Sequence, residues 1–402
     1  MPFALRNARI ATCTGQGVID HGGLVVDGGY VAWLGEGEPS VPSGARIIDA
    51  GGRLVTPGLV DPHTHLIFEG TRVPELRRKM AGESYQAIAA GGGGILSTVR
   101  ATRAASDEAL FERAKGRAEV LRAGGVTTVE VKSGYGLTVT HELRMLEVGR
   151  RLDAHVRTRI ILLGAHKIAP EFEHDRAGYV RLVAEQMIPA AARAGLADAC
   201  DVYCDAGAFT LEETRTILSA ARQHGLGVRA HVGQFEDLGA AELVAALGGW
   251  SCDHLESVSE AGLCAMGKGD VRAVLLPGAW RTLRQTPPDA ERMLRHGVKI
   301  AVGTDANPGT SPTLDLVLCA ALAVRDAGLP VGLALHAITA HAADALGAPD
   351  RGRLVLGGPA DLALWEADSP DVFAYALGGL RPALLAVGGR IVADRDLGPA
   401  LW

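Results

Sequence analysis

Eight short apolar runs, set between stretches of helical period, constrain this chain more than any other feature. They are GLVDPHTH (58–65), VTTVEVKS (126–133), RIILLGAH (159–166), CDVYCDAG (200–207), GVRAHVGQ (227–234), SCDHLE (251–256), VRAVLLPG (271–278) and VKIAVGTDANPG (298–309). Runs rich in Val, Ile and Leu suit strands buried on both faces, the condition of an all-parallel sheet covered by helices. The stretches between them, such as EALFERAKGRAEVLRAG and ELRMLEVGRRL, carry helical spacing and Gly stops. Eight strand–helix alternations predict an α/β chain built on a (β/α)8 barrel. The first connection, about 60 residues long and containing Gly91 to Gly94, is expected to lid the barrel mouth.

The two ends of the chain read differently. Near the N-terminus, LVV, then Asp27-Gly28-Gly29, then YVAWLG predicts a hairpin, and the last 50 or so residues supply GRLVLGGPADLALWE and LLAVGGRIVADRD with a second Gly-Gly turn. Both ends are therefore expected to build one small β-sandwich module. The boundaries read as 1–56 for its N-terminal part, 57–350 for the barrel and 351–402 for its C-terminal part.

Charge and composition narrow the function classes. Forty Lys and Arg against 46 Asp and Glu give a formal net charge of −6, without the clustered basic face that phosphate backbones require, so no nucleic-acid partner is expected. The opening MPFALRNARI holds two arginines, and no uncharged apolar run approaches the 18 or so residues of a membrane span, which predicts a cytoplasmic protein without membrane contact. The six cysteines are scattered without a CxxC, so they read as small buried hydrophobes rather than a disulfide framework or thiolate zinc site. A small-molecule substrate and, from the general habit of soluble enzymes, a homodimer are the expected partners.

Six of the eight runs end in a coordinating or hydrogen-bonding residue: His63 and His65, Lys132, His166, His231, His254 and Asp305. Active sites of such barrels sit at the C-terminal ends of their strands. His63 and His65 stand two apart, so on a strand both imidazoles project to one side and can share an ion. With His231 on the fifth strand and Asp305 after the eighth they make three imidazoles and a carboxylate, a set suited to one zinc or iron ion.

At this point the sequence resembles the amidohydrolase superfamily, from the first His-x-His strand through Thr304-Asp305 to the segment Gly352 to Trp365. Within it the chain looks like the imidazolonepropionases, hydrolases of histidine degradation. The segments that carry this are HTHLIFEGTR (63–72), AGGGGILSTVRATR (90–103), GVTTVEVKSGYGL (125–137), LLGAH (162–166), CDHLE (252–256), LLPGA (275–279) and TDANPGTSPT (304–313). The resemblance implies addition of water to the ring carbonyl of 4-imidazolone-5-propanoate, opening the cyclic amide to N-formimidoyl-L-glutamate. It places the metal ligands on His63, His65, His231 and Asp305, and substrate contacts on Arg72, Tyr85, Tyr135, His166, Gln234, Asn307, Gly309 and Thr310. Arg72 would fork onto the propionate with help from Tyr135. His166 would meet the ring, and His254 would steady the oxyanion or relay a proton.

One departure bears on mechanism. The family usually has His-x-[DE]-[EQ] at the fifth strand, whereas this chain reads His231-Val232-Gly233-Gln234. Gln234 can still bind the ring, so the base role is expected to pass to Asp305, His254 or both. After LLPGA the chain has WRTLRQT where the family more often has an aromatic pair. Lys132 could bridge two metals as a carbamate in some amidohydrolases; the resemblance points instead to one metal, with Lys132 ion-paired behind it. The glycine run lacks a following Lys-Ser/Thr and is no phosphate cradle, and no GxSxG elbow occurs. The alternatives are a deaminase or cyclic-imide hydrolase of the same superfamily, or a barrel used as a non-catalytic scaffold.

Overall fold

The computed structural model describes residues 1–83, 87 and 91–398. The chain opens with β1 (Phe3–Ala11), β2 (Val18–Asp27), β3 (Tyr30–Glu36), β4 (Arg46–Asp49) and β5 (Leu54–Pro57). Eight barrel strands follow: β6 (Leu59–Asp61), β7 (Val126–Lys132), β8 (Arg157–Ala165), β9 (Ala199–Cys204), β10 (Gly227–Val232), β11 (Ser251–His254), β12 (Arg272–Leu275) and β13 (Ile300–Val302). The chain ends with β14 (Leu362–Trp365), β15 (Pro382–Val387) and β16 (Arg390–Asp394).

Every apolar run singled out in the sequence overlaps one of the barrel strands, and these pair in parallel in chain order from β6 to β13. Strand β6 is only three residues long because Pro62 has no N–H to continue the ladder. His63 and His65 therefore lie beyond the strand rather than on it. The barrel closes there all the same: Asp305 N donates to His63 O at 2.9 Å, His65 N to Ala306 O at 3.0 Å, and Lys132 N to Thr64 O at 3.2 Å. Asp61 pins the same seam, its carboxylate accepting from Thr304 N at 3.1 Å and Thr304 Oγ1 at 2.6 Å. The backbone pairing that shuts the cylinder thus sets the His-x-His segment beside Asp305.

Both chain ends form a separate mixed eight-stranded sheet, ordered β16-β15-β14-β5-β1-β2-β3 with β4 on β1, around its own core of Phe3, Leu5, Ile10, Leu24, Leu362 and Leu384. Its two Gly-Gly turns are as expected. Gly28 and Gly29 have φ of 57° and 92°, and Gly388 and Gly389 have 55° and 71°, the left-handed values a two-residue hairpin needs. The turns also meet: a Cβ on Gly389 would stand 2.7 Å from Gly29 Cα, so glycine is required by contact as well as by conformation.

Among the described residues the long first connection holds the helices Val73–Met80, Ile95–Ala104 and Asp107–Ala123. The last begins at Ser106, whose hydroxyl accepts from Ala109 N at 3.2 Å and so satisfies one of the free donors of the first turn. Arg72, Lys79, Met80, Ile95 and Leu96 from this connection line the cavity at the barrel mouth, which makes it the cover that its length suggested. No described helix is long and apolar enough to cross a membrane.

Candidate active site

At the C-terminal end of the barrel lies a cavity of about 750 Å³, lined among others by His65, Arg72, Tyr135, His166, His231, Gln234, His254, Asp305, Asn307, Gly309 and Thr310. The barrel thus brings together nearly all the residues singled out in the sequence. His63 lies beneath, fully buried, and Tyr85 falls outside the described residues.

The histidine rings are aimed by carboxylates. His63 Nδ1 stands 2.6 Å from Asp253 Oδ2 and His231 Nδ1 2.9 Å from Asp201 Oδ1. An ionised carboxylate can only accept, so each Nδ1 carries the hydrogen and each Nε2 keeps its lone pair. Those two Nε2 atoms, with His65 Nδ1, are buried without a hydrogen-bond partner. Burial holds His63 and His65 well below the usual histidine range, and the neighbouring Lys132 and imidazole groups push the same way; His231 is lowered too, chiefly by burial. Neutral imidazoles with unshared lone pairs are the form that binds a metal.

Asp305 Oδ1 lies 3.5 Å from both His63 Nε2 and His65 Nε2. Donor atoms of His63, His65 and Asp305 lie within 4.8 Å of one another, as do those of His63, His231 and His254. The donor set therefore fits a metal ion, which would satisfy the buried lone pairs that no protein group meets.

Behind the rings sits a charge cluster that was only partly legible in the sequence. Lys132 Nζ is 2.6 Å from both Glu130 Oε1 and Asp201 Oδ2, and Arg229 is 2.6 Å from both Glu130 Oε1 and Asp253 Oδ2, all with side chains fully buried. Lys132 is thus ion-paired, as the one-metal expectation required. Burial alone would raise the Asp201 pKa; the His231 hydrogen bond and the Lys132 charge outweigh it and hold the carboxyl well below its usual range. Asp201→Asn should keep an acceptor for His231 but lose the charge. Outer-shell changes of this kind weaken metal affinity by about 10- to 100-fold, measurable by competition with a chromogenic chelator; unchanged affinity would deny the cluster its orienting role.

His254 and Asp305 both sit in left-handed backbone, with φ of 81° and 50°, and Leu255 follows at 73°. Strain at non-glycine residues clusters where surrounding structure over-determines a functional geometry. The Glu256 side chain, 3% exposed, lies 3.7 Å from His254 Nδ1, an ion-pair contact rather than a hydrogen bond. Burial pulls the His254 pKa down, but Glu256, Asp305 and Asp253 outweigh it and the net shift is upward. Burial pushes Asp305 up to about 7 against the opposing pull of His254.

Other side chains sit differently from the sequence expectation. Arg72 does fork bidentately, but onto Glu75, with Nε–Oε1 at 2.5 Å and Nη2–Oε2 at 2.6 Å. Its Nη1 is what faces Gly309, where a Cβ would come within 3.0 Å. Asn307 is saturated by its own loop: Nδ2 donates to Asp305 O at 2.7 Å and Thr310 Oγ1 at 3.0 Å, while Oδ1 accepts from Gly309 N and Thr310 N, both at 2.8 Å. It shapes the loop that presents Gly309 and Thr310. His166 stacks on His65 with centroids 5.3 Å apart, and its Nδ1 lies 3.0 Å from Gly134 O. A carbonyl only accepts, so Nδ1 bears the hydrogen and Nε2 is an acceptor; burial pushes the pKa to about 3, keeping the ring neutral.

Gln234 Oε1 accepts from Tyr203 OH at 2.8 Å, and its backbone carbonyl accepts from Gln285 Nε2 at 2.6 Å. Gln285 belongs to the WRTLRQT segment that departs from the family pattern, and Thr282, Leu283 and Arg284 of that segment line the cavity. Tyr203 had gone unremarked, although it stands two residues after Asp201 on the same inward face of β9.

The model of the amidohydrolase family matches residues 54–392. An imidazolonepropionase of a Polaromonas species is 45% identical over 403 residues, covering 98% of this chain and 93% of that protein. One from Ectopseudomonas mendocina is 46% identical over 378 residues, covering 92% and 93%. Among solved structures, 5-methylcytosine deaminase from Klebsiella pneumoniae superposes with a TM-score of 0.77 at 17% identity over 100% of this chain and 99% of that one. N-isopropylammelide isopropylaminohydrolase from Burkholderia multivorans gives 0.72 at 21%, covering all of both chains. At such identities the superpositions speak for the fold alone. The long matches at 45–46% speak for more, and this chain belongs to the imidazolonepropionases of the amidohydrolase family.

Proposed function

We propose that this chain hydrolyses the cyclic amide bond of 4-imidazolone-5-propanoate to give N-formimidoyl-L-glutamate, using one zinc or iron ion held by His63, His65, His231 and Asp305. The observation that carries this reading is the meeting, in one cavity, of unshared imidazole lone pairs and Asp305 with the Arg72 side chain and the neutral His166 ring. When bound, the ion supplies Lewis acidity, polarising the carbonyl and bringing the pKa of water toward neutrality.

The chain's own groups account for the proton movements. As water oxygen adds to the ring carbonyl carbon, Asp305, whose carboxylate lines the cavity, takes the proton. Gln234 cannot, because an amide accepts no proton at neutral pH, and Gly233 has no side chain. His254, whose ring stands beside the Glu256 carboxylate, donates to the developing oxyanion. When the carbon–nitrogen bond breaks, the ring nitrogen receives the proton that Asp305 took. His166 Nε2 accepts from a ring N–H, and the Gln234 amide N–H donates to the ring.

Arg72 meets the propionate through its Nη1 side. Charge-assisted hydrogen bonds contribute about 1.5–3 kcal/mol, so Arg72→Ala should lower kcat/KM by roughly 10- to 150-fold. The upper part of that range is expected because Glu75 would be left facing the substrate's negative charge. Equal losses on an uncharged ring would reduce Arg72 to a fold-supporting residue.

The test of the activity is a panel of freshly made 4-imidazolone-5-propanoate, hydantoins and aminated heterocycles, with products read by mass spectrometry. Formation of N-formimidoyl-L-glutamate is expected. Ammonia release from aminated rings alone, or opening of hydantoins alone, would favour the deaminase or cyclic-imide reading.

A further inference from the structure

The charges around the mouth do not balance locally. Arg72 is neutralised by Glu75, and Glu83, which shares the cavity wall with Asp305, is paired with Arg78 through Nε–Oε2 at 2.6 Å. That leaves Lys79, which lines the same cavity and has, among the described residues, no carboxylate within 4.0 Å. Lys167 and Arg284 also line the cavity and, among the described residues, have no carboxylate within 4.0 Å, in a chain whose overall formal charge is −6.

The position of the Lys79 ammonium is specific. Nζ donates to Gly309 O at 2.6 Å, tying the cover of the barrel to the loop after β13. On the same glycine, Arg72 Nη1 stands 3.0 Å from where a Cβ would be, so the two cations flank one small residue. Like charges set side by side repel: burial and Arg72 lower the Lys79 pKa, and Glu75, already committed to Arg72, offsets only part of that. An anion seated against Gly309 relieves that repulsion, and with Glu75 already spent on Arg72 there is charge left for one carboxylate. An ammonium also has three donors, of which the Gly309 carbonyl takes one.

We infer that Lys79 is a specificity-determining residue, a second cation that receives the substrate's carboxylate beside Arg72. The inference rests on the hydrolase reading above and adds to it a residue that selects for an acidic side chain on the ring. A purely mechanical strap between Lys79 and Gly309 would act on every substrate alike. A carboxylate contact would act on KM, and only when the carboxylate is present.

The test uses the full-length, metal-loaded protein with Lys79→Met and Lys79→Arg. Each is assayed on 4-imidazolone-5-propanoate and on its propionamide counterpart, and titrated calorimetrically with 3-(imidazol-4-yl)propanoate, which cannot be hydrolysed. Lys79→Met is expected to raise KM for the acid about tenfold with kcat within about threefold, and to weaken the imidazole acid by a similar factor, the low end for a charged contact because the side chain is only half-buried. It should leave the amide's KM within about twofold, and Lys79→Arg should recover most of the loss. If Lys79→Met changes acid and amide equally, or leaves both within twofold, the assignment is overturned while the hydrolase reading stands. If the wild-type protein fails to open the acid at all, the hydrolase reading falls and this inference with it.

Discussion

Asp305→Asn is expected to lower kcat by about 10²- to 10⁴-fold, the range associated with a positioned general base. Asparagine is the informative replacement because Asp305 has φ of 50°, a conformation asparagine tolerates and alanine does not. It keeps an oxygen where the carboxylate had one, and the backbone carbonyl that receives Asn307 Nδ2 is untouched. What it loses is the ability to take a proton. Kinetics should therefore be expressed per metal-occupied chain, so that weakened ligation is separated from lost base chemistry. A variant that keeps more than about a third of wild-type kcat per occupied site, a barrier change under roughly 0.7 kcal/mol, would remove Asp305 from the base role.

His254→Asn is expected to lower kcat by about 10²- to 10³-fold, the cost of an oxyanion donor, with metal content unchanged. The same backbone argument selects asparagine, since φ is 81° at His254. The structure makes this a sharp test because His254 also belongs to a possible donor group with His63 and His231. Its contact with Glu256 and its upward pKa shift set it apart from His63 and His231, whose shifts run downward. Activity that falls only in proportion to lost metal would make His254 a ligand instead. Retained activity with retained metal would remove it from the chemistry altogether.

The barrel was legible in the sequence because eight short runs rich in Val, Ile and Leu alternate with helical stretches, the pattern of parallel strands buried on both faces. Its strand ends were less so. Pro62 cut β6 to three residues, and closure came from His63, His65 and Asp305 backbone groups that follow the strands proper. The candidate ligand set was visible because three histidines and an aspartate stand at run ends. The supporting cluster carried a signal that goes with it: Glu130 and Lys132, Arg229 and His231, and Asp201 and Tyr203 are each two apart within apolar strands. Side chains at that spacing share a face, so a charge two residues before a strand-end functional group points into the barrel beneath it. The partners of Arg72 and Asn307 were beyond reach for a different reason. Loop contacts such as Arg72 with Glu75, or Asn307 with Thr310, depend on local turns that no periodicity encodes.

The central claim is that a single ion at His63, His65, His231 and Asp305 supports opening of the imidazolone ring. The direct measurement is titration of metal-stripped protein with zinc or ferrous iron while turnover of 4-imidazolone-5-propanoate is followed. Activity should rise from near zero in proportion to bound metal and level off at one equivalent per chain, and His63→Ala and His65→Ala should neither retain the ion nor recover activity. Full turnover by stripped protein, a plateau only at two equivalents, or normal metal and rate in both histidine variants would contradict the account.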